Sequence, residues 1–173
     1  NEKSKKLDHG QHLAGNVLQE FRLENEFIKK SGWGQFLIDG CAKWIMRSEN
    51  KQIKKMNIIN SWIVRQFEKD YNPLHVHGGH ISGVGYLKVP NNFGEYSQKN
   101  KAFNYNGGLS LVHGSHMFNS PGTFNIKPKV GDFYFFPHYL MHVVYPFSNS
   151  NEERRSISFN AFIDEEVYNA YDK

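Results

Sequence analysis

Asp132-Phe133-Tyr134-Phe135-Phe136-Pro137-His138-Tyr139-Leu140-Met141-His142-Val143-Val144-Tyr145 consists of two short aromatic and β-branched runs parted by a proline turn. Runs of that composition bounded by turn residues read as strands, here Asp132 to Phe136 and His142 to Tyr145. Working outward, similar runs occur at Thr123 to Ile126, Leu109 to Val112, Ser82 to Val89, Ser61 to Phe67 and Ile53 to Ile59, and downstream at Ser156 to Phe162. About eight strands with no helical pattern between them predict a mainly β antiparallel sandwich, a jelly roll or double-stranded β-helix, and not a parallel α/β sheet.

Helical patterns come only before these strands. Leu13, Val17, Phe21 and Ile28 recur at helical spacing, which predicts an amphipathic helix over residues 13 to 28. Ser31-Gly32-Trp33-Gly34 breaks it, and Phe36, Leu37, Cys41, Trp44 and Ile45 mark one side of a second helix ending near Arg47. Both helices are expected to pack on an outer face of the larger sheet. With 173 residues and neither an internal repeat nor a linker, residues 1–173 are expected to form one domain, with helical support over 1–50 and a jelly-roll core over 52–163.

The chain carries nine histidines and one cysteine, Cys41. One cysteine excludes an internal disulfide framework and a thiolate zinc finger, so imidazoles must carry any bound metal. A net charge of +4 is mild and its cations are scattered, apart from Lys3, Lys5 and Lys6, which argues against a nucleic-acid partner. The polar amino-terminal stretch has no apolar core of a signal peptide, and no apolar run approaches a membrane span; a cytoplasmic location is expected.

His75 and His77 lie two apart in Pro73-Leu74-His75-Val76-His77-Gly78-Gly79-His80, just where a strand gives way to glycines. Period-two spacing aims both imidazoles to one side of an extended backbone. His142 opens a later strand that could meet them, which suggests a three-histidine metal site. Beyond it, Arg154 begins Arg154-Arg155-Ser156-Ile157-Ser158-Phe159-Asn160. An arginine on a core strand is costly unless it meets an anion, and its planar guanidinium suits a carboxylate. The plainer alternative pairs Arg154 with Glu152 or Glu153 at the surface.

The series His75-x-His77, Ser82-Gly83-Val84-Gly85-Tyr86-Leu87, Phe136-Pro137-x4-His142 and Arg154-x-Ser156-Ile157-Ser158-Phe159-Asn160 resembles the iron(II)- and 2-oxoglutarate-dependent oxygenases. It is most similar to a branch related to prolyl hydroxylases, with members in bacteria and their phages. The resemblance covers roughly residues 55 to 163. It implies a hydroxylase that couples C–H oxidation, with O2, to decarboxylation of 2-oxoglutarate, on a small-molecule or peptide substrate. It also implies that His75 and His142 are the two iron-binding histidines, with His77 where the family usually has a carboxylate. Arg154 matches the arginine that grips the distal carboxylate of 2-oxoglutarate, with Ser156 beside it, and Tyr86 matches a tyrosine that helps bind this cosubstrate.

His77 is a departure from the usual pattern of two histidines and one carboxylate. Three neutral ligands leave the site one unit more positive, and such sets also suit zinc, nickel or copper. In that branch His-x-His is frequent, so the resemblance implies a variant site and not a dead one. Two rival readings remain: a cupin-like three-histidine dioxygenase needing no keto acid, and a catalytically inactive metal-binding jelly roll.

The other histidines read as ordinary. His80 is expected on a solvated loop, the alternative being a place beside the metal ligands or facing substrate; His138 is expected at the surface, His113 and His116 in a Gly/Ser loop with a second metal site as the lesser reading, and His9 and His12 in the leading segment. Trp62, Phe133, Phe135 and Phe159 are expected between the sheets, Asp132 in a turn, and Cys41 buried as a small hydrophobe. Asn91 to Gly107 reads as a lid over the mouth.

Overall fold

In the computed structural model the described residues are 7, 8, 10, 13–95, 98, 100–148 and 150–169. His9 and His12 and the basic cluster at Lys3, Lys5 and Lys6 lie outside them. In chain order the elements are β1 (Gln19–Arg22), α1 (Asn25–Lys30), α2 (Trp33–Glu49), β2 (Met56–Gln66), β3 (Asn72–His75), β4 (Ile81–Lys88), β5 (Leu109–Val112), β6 (Thr123–Ile126), β7 (Phe133–Pro137), β8 (Met141–Val144), β9 (Arg154–Ile163) and α3 (Glu165–Tyr168). They build two antiparallel sheets, β1-β2-β9-β4-β7 and β3-β8-β5-β6, which together make the expected jelly roll.

The strand reading needs three corrections. Ile53 to Ile59 and Ser61 to Phe67 are one strand, β2, whose register against β9 slips between Ile58 and Asn60. A bulge there bends the strand without ending it. β3 is a strand that proline partly disguised; Pro73 is tolerated because β3 lies at the edge of the small sheet. Residues 13 to 28 do not form a helix. They give β1, which pairs with β2 at Phe21 and Ile63, and only then the short α1. Pairing covers the open edge of β2, and that tertiary gain outweighs the local helical period.

Along β9, Arg154, Ser156, Ser158 and Asn160 face one way and Ile157, Phe159, Ala161 and Ile163 the other. Phe159, Ala161 and Ile163 of the second set pack with Leu37, Cys41 and Ile45 of α2 and with Ile81, forming the core between helix and large sheet, as expected for the second helix. Phe133 and Phe135 join that cluster, so they and Phe159 lie under α2 and not between the sheets. Cys41 is fully buried there as expected. Glycine makes the aromatic layer possible: a Cβ on Gly85 would stand 2.3 Å from the Phe133 ring. The core between the sheets is smaller, built on Tyr86, Leu109, Leu111, Ile126, Phe136 and Val144. At one end of that space the apolar residues give way to polar ones.

Candidate metal centre

His75 on β3 and His142 on β8 are direct cross-strand partners, so their side chains rise from the same face of the small sheet. His77 follows β3 at the predicted two-residue spacing. The three rings meet, with centroids 4.2 Å apart for His75 and His142, 5.0 Å for His75 and His77, and 4.9 Å for His77 and His142. One ring nitrogen from each lies within 4.8 Å of the others. A carbonyl can only accept, so Nδ1–H of His75 donates to Pro73 O at 2.6 Å and Nδ1–H of His142 donates to Leu140 O at 2.9 Å. Those bonds leave the Nε2 lone pairs of both rings free for a cation, the usual way that a protein orients metal-binding imidazoles. Burial, reinforced by His142, His75 and His138, pushes the His77 pKa down to about 3, and burial with His75 pushes His142 down to about 4. At neutral pH all three therefore offer neutral nitrogens, and the trio could hold a metal.

His138 is not the surface residue expected of it. Its Nδ1–H donates to His77 O at 2.9 Å, its backbone carbonyl accepts from His77 N–H at 3.0 Å, and its Nε2 accepts from the Tyr168 hydroxyl at 2.7 Å. His80 is likewise buried: it stacks on Tyr168 at 3.8 Å, and its Nδ1 accepts from Ile163 N–H at 3.2 Å. Both brace the loop that carries His77, and Gly79, at φ +98° with Ala161 O in the way of any Cβ, makes its turn. Tyr168→Phe removes one bond of this chain and should lower divalent-metal affinity about tenfold with a stability loss of about 1 kcal/mol, measurable by competition with a chelator and by thermal melting. Unchanged metal affinity would show that the brace does not reach His77. His113 and His116 are exposed and belong to no such arrangement: among the described residues the only group that could hold a metal is His75, His77 and His142.

Below the imidazoles lies a narrow cavity of about 40 Å³, lined by the three histidines, Arg154, Ser156 and Trp62 among others. Arg154 is 2% exposed and its guanidinium donates to the Gln66 carboxamide oxygen; its Nε has no partner. The surface pairing with Glu152 or Glu153 does not occur. Glu153 is taken by Arg65 and Arg155, which hold its pKa down to about 2, and Glu152 accepts from Asn91. The guanidinium carbon sits 5.0 Å from the Tyr86 ring, whose buried hydroxyl is also unpartnered. A desolvated cation beside unpaired donors could hold an anion.

A second cavity, about 540 Å³, opens beside His75 and His77, which it shares with the first together with Trp62 and Asn72. Trp62, taken from sequence as core, is wall to both, its ring 5.7 Å from that of His77. None of the described residues of Asn91 to Gly107 lines either cavity. The outer wall comes instead from Leu13, Ala14 and Glu20 and from the turn Val76 to Gly79. Glu20 is 1% exposed, and neither of its oxygens has a partner. Burial, with Asp8 adding to it, pushes its pKa up to about 7. A carboxyl whose folded pKa lies above its unfolded value costs stability once the unfolded chain ionises, so its penalty grows as pH rises from about 4.5 through 7. Glu20→Gln should therefore melt higher than the parent at pH 8, by on the order of 1–3 kcal/mol, and equal it near pH 4. A gap independent of pH would mean that Glu20 does not titrate in this range.

A family model described as "Putative 2OG-Fe(II) oxygenase" matches residues 60–160, the stretch that holds all three histidines and Arg154. The chain belongs to this family. Solved structures agree on the fold. An oxidoreductase of the 2OG-Fe(II) oxygenase family from Burkholderia pseudomallei is 15% identical, over 93% of this chain and 76% of that one, with a TM-score of 0.56. A viral collagen prolyl hydroxylase from Paramecium bursaria Chlorella virus 1, in complex with 2OG, is 18% identical over 87% and 80%, with a TM-score of 0.54. HygX from Streptomyces hygroscopicus, with nickel and 2-oxoglutarate bound, is 12% identical over 88% and 74%, with a TM-score of 0.51. At such identities these likenesses of the family member show its fold alone. No curated protein matches the sequence.

Proposed function

We propose that the protein is an Fe(II)- and 2-oxoglutarate-dependent dioxygenase that hydroxylates a small-molecule or peptide substrate. The observation that carries this reading is that the three histidines and the anion-seeking Arg154 line one cavity of a chain in this family. The donor set fits the metal, being three neutral imidazoles with their lone pairs turned inward, and the unpartnered Arg154 Nε and Tyr86 hydroxyl fit a carboxylate. Bound together, Fe(II) and 2-oxoglutarate would supply the oxidising chemistry, in which C–H, O2 and 2-oxoglutarate become C–OH, succinate and CO2.

The chain's own part is position and exclusion. His75, His77 and His142 would hold the metal. Arg154 would pair with the distal carboxylate of the cosubstrate, Ser156 beside it would donate a hydroxyl, and Tyr86 would donate its own while burial keeps that phenol protonated. Trp62 and Phe136 would keep water from the reacting side of the metal position. With His77 where a carboxylate is usual, the site gains attraction for a dianion and loses selectivity for iron. A three-histidine dioxygenase without keto acid has no use for a buried, anion-free Arg154. A cytoplasmic setting belongs to the same proposal: Cys41 is free, and among the described residues no helix is long and apolar enough to cross a membrane.

Purified protein loaded anaerobically with Fe(II) and then given 2-oxoglutarate and O2 should release succinate slowly without substrate and faster with it. Metal binding with no loss of 2-oxoglutarate under any substrate would assign the chain to one of the rival classes.

A further inference from the structure

The outer cavity carries a feature that the iron and 2-oxoglutarate reading does not use. Glu20 is buried to 1% exposure with both carboxylate oxygens unpartnered, and Asn60, in the same wall beside the β2 bulge, has an unpartnered buried carbonyl oxygen. Three buried oxygens without partners thus belong to residues of one wall. Asp8 adds negative charge nearby, raising the cost of an ionised Glu20 further. Such a wall is costly in the free protein and becomes favourable only when something supplies hydrogen-bond donors and positive charge.

A metal ion is a poor candidate. Glu20 is not within the group of nitrogens that meet at the histidines, and one carboxylate with one amide oxygen is too few ligands for a hard cation. Leu13, Ala14, Ile59, Val76 and Phe162 give the wall an apolar part, next to the side-chain amides and imidazoles that also line it. Apolar walls ending in a carboxylate match an aliphatic stem ending in a cation.

Resting on the function proposed above, we propose that the substrate carries an amine or guanidine on an aliphatic stem, and that Glu20 with Asn60 binds this cationic end. His75 and His77 line the same cavity, so a stem anchored at Glu20 passes beside the metal position. Glu20 is thus a specificity residue supplied by β1, an edge strand outside the family-matched stretch.

The test compares isosteres by calorimetry on the metal-free full chain: L-lysine amide against L-norleucine amide, and L-arginine amide against L-citrulline amide, each free and within a blocked tripeptide. In at least one pair the cation should bind at least about tenfold tighter, as a charge-assisted bond to a buried carboxylate implies. Glu20→Gln should erase that preference while keeping metal affinity. A preference confined to the tripeptides would make the source a peptidyl side chain, and one confined to the free amides a small molecule; either supports the assignment. Absence of any preference up to millimolar concentration, or a preference that survives Glu20→Gln, overturns it. Loss of metal affinity in Glu20→Gln also overturns it, by placing Glu20 in the metal site. If the wild type prefers cations yet never forms succinate, the oxygenase reading fails and the cation site remains.

Discussion

His142→Ala is expected to abolish Fe(II)-dependent succinate formation and to weaken divalent-metal binding by more than about a hundredfold. Loss of a group that merely orients a metal-binding residue commonly costs 10–100-fold in affinity, so loss of a ligand should cost more. Geometry makes His142 the most exacting of the three. It faces His75 across the strand pair, stands 3.1 Å from His77 Nε2, and is fixed by Leu140 O. Two imidazoles without it cannot enclose a cation from three sides. The substitution leaves a space beside Phe136, whose ring centroid is 5.0 Å from that of His142, and should cost stability of about 1–3 kcal/mol. Folding is checked by thermal melting, metal affinity by chelator competition, and turnover by succinate release. His116→Ala, in an exposed loop remote from the cavities, is the control and should behave as wild type. Near-normal succinate formation by His142→Ala would sink the metal assignment.

How much of this was legible in the sequence depends on what fixed each feature. The jelly roll was legible because its strands are short apolar runs closed by turn residues, and β5 and β6 stand where that pattern puts them. The histidine trio was legible because period-two spacing on an extended backbone puts His75 and His77 on one side. Its closure by His142 needed the β3 to β8 pairing, which no local pattern announces. β1 was misread because the strand is only four residues long and buries Glu20, so its apolar residues do not mark the buried face. The signal was hidden by the same residue that carries the cavity's unpartnered carboxyl. His80 and His138 were misread for a different reason: their partners, Ile163 and Tyr168, lie at the carboxy-terminal end of the chain, and only the fold brings them together.

Arg154→Met is expected to move two measurements in opposite directions. Affinity for 2-oxoglutarate should fall by at least about a hundredfold, because the variant keeps the volume but loses a desolvated charge and its hydrogen bonds to a carboxylate, worth on the order of 2–5 kcal/mol when truncated. Stability of the ligand-free protein should hold or rise. Burial alone disfavours the Arg154 cation, and no carboxylate among its neighbours offsets that cost. Against this gain stands the Gln66 carboxamide oxygen, which loses its guanidinium partner at about 1–3 kcal/mol, while Gln66 keeps its donor bond to Asn72 at 3.0 Å. A second signature needs no turnover: 2-oxoglutarate at a hundred times its dissociation constant should stabilise the wild type by about 2.7 kcal/mol and the variant hardly at all. A purely structural arginine gives a different pattern, with a lower melting temperature and an unchanged ligand-induced shift. Thermal melts of both proteins, with and without 2-oxoglutarate, separate the two, because a residue that serves a ligand lowers stability when the ligand is absent, whereas one that serves the fold does not.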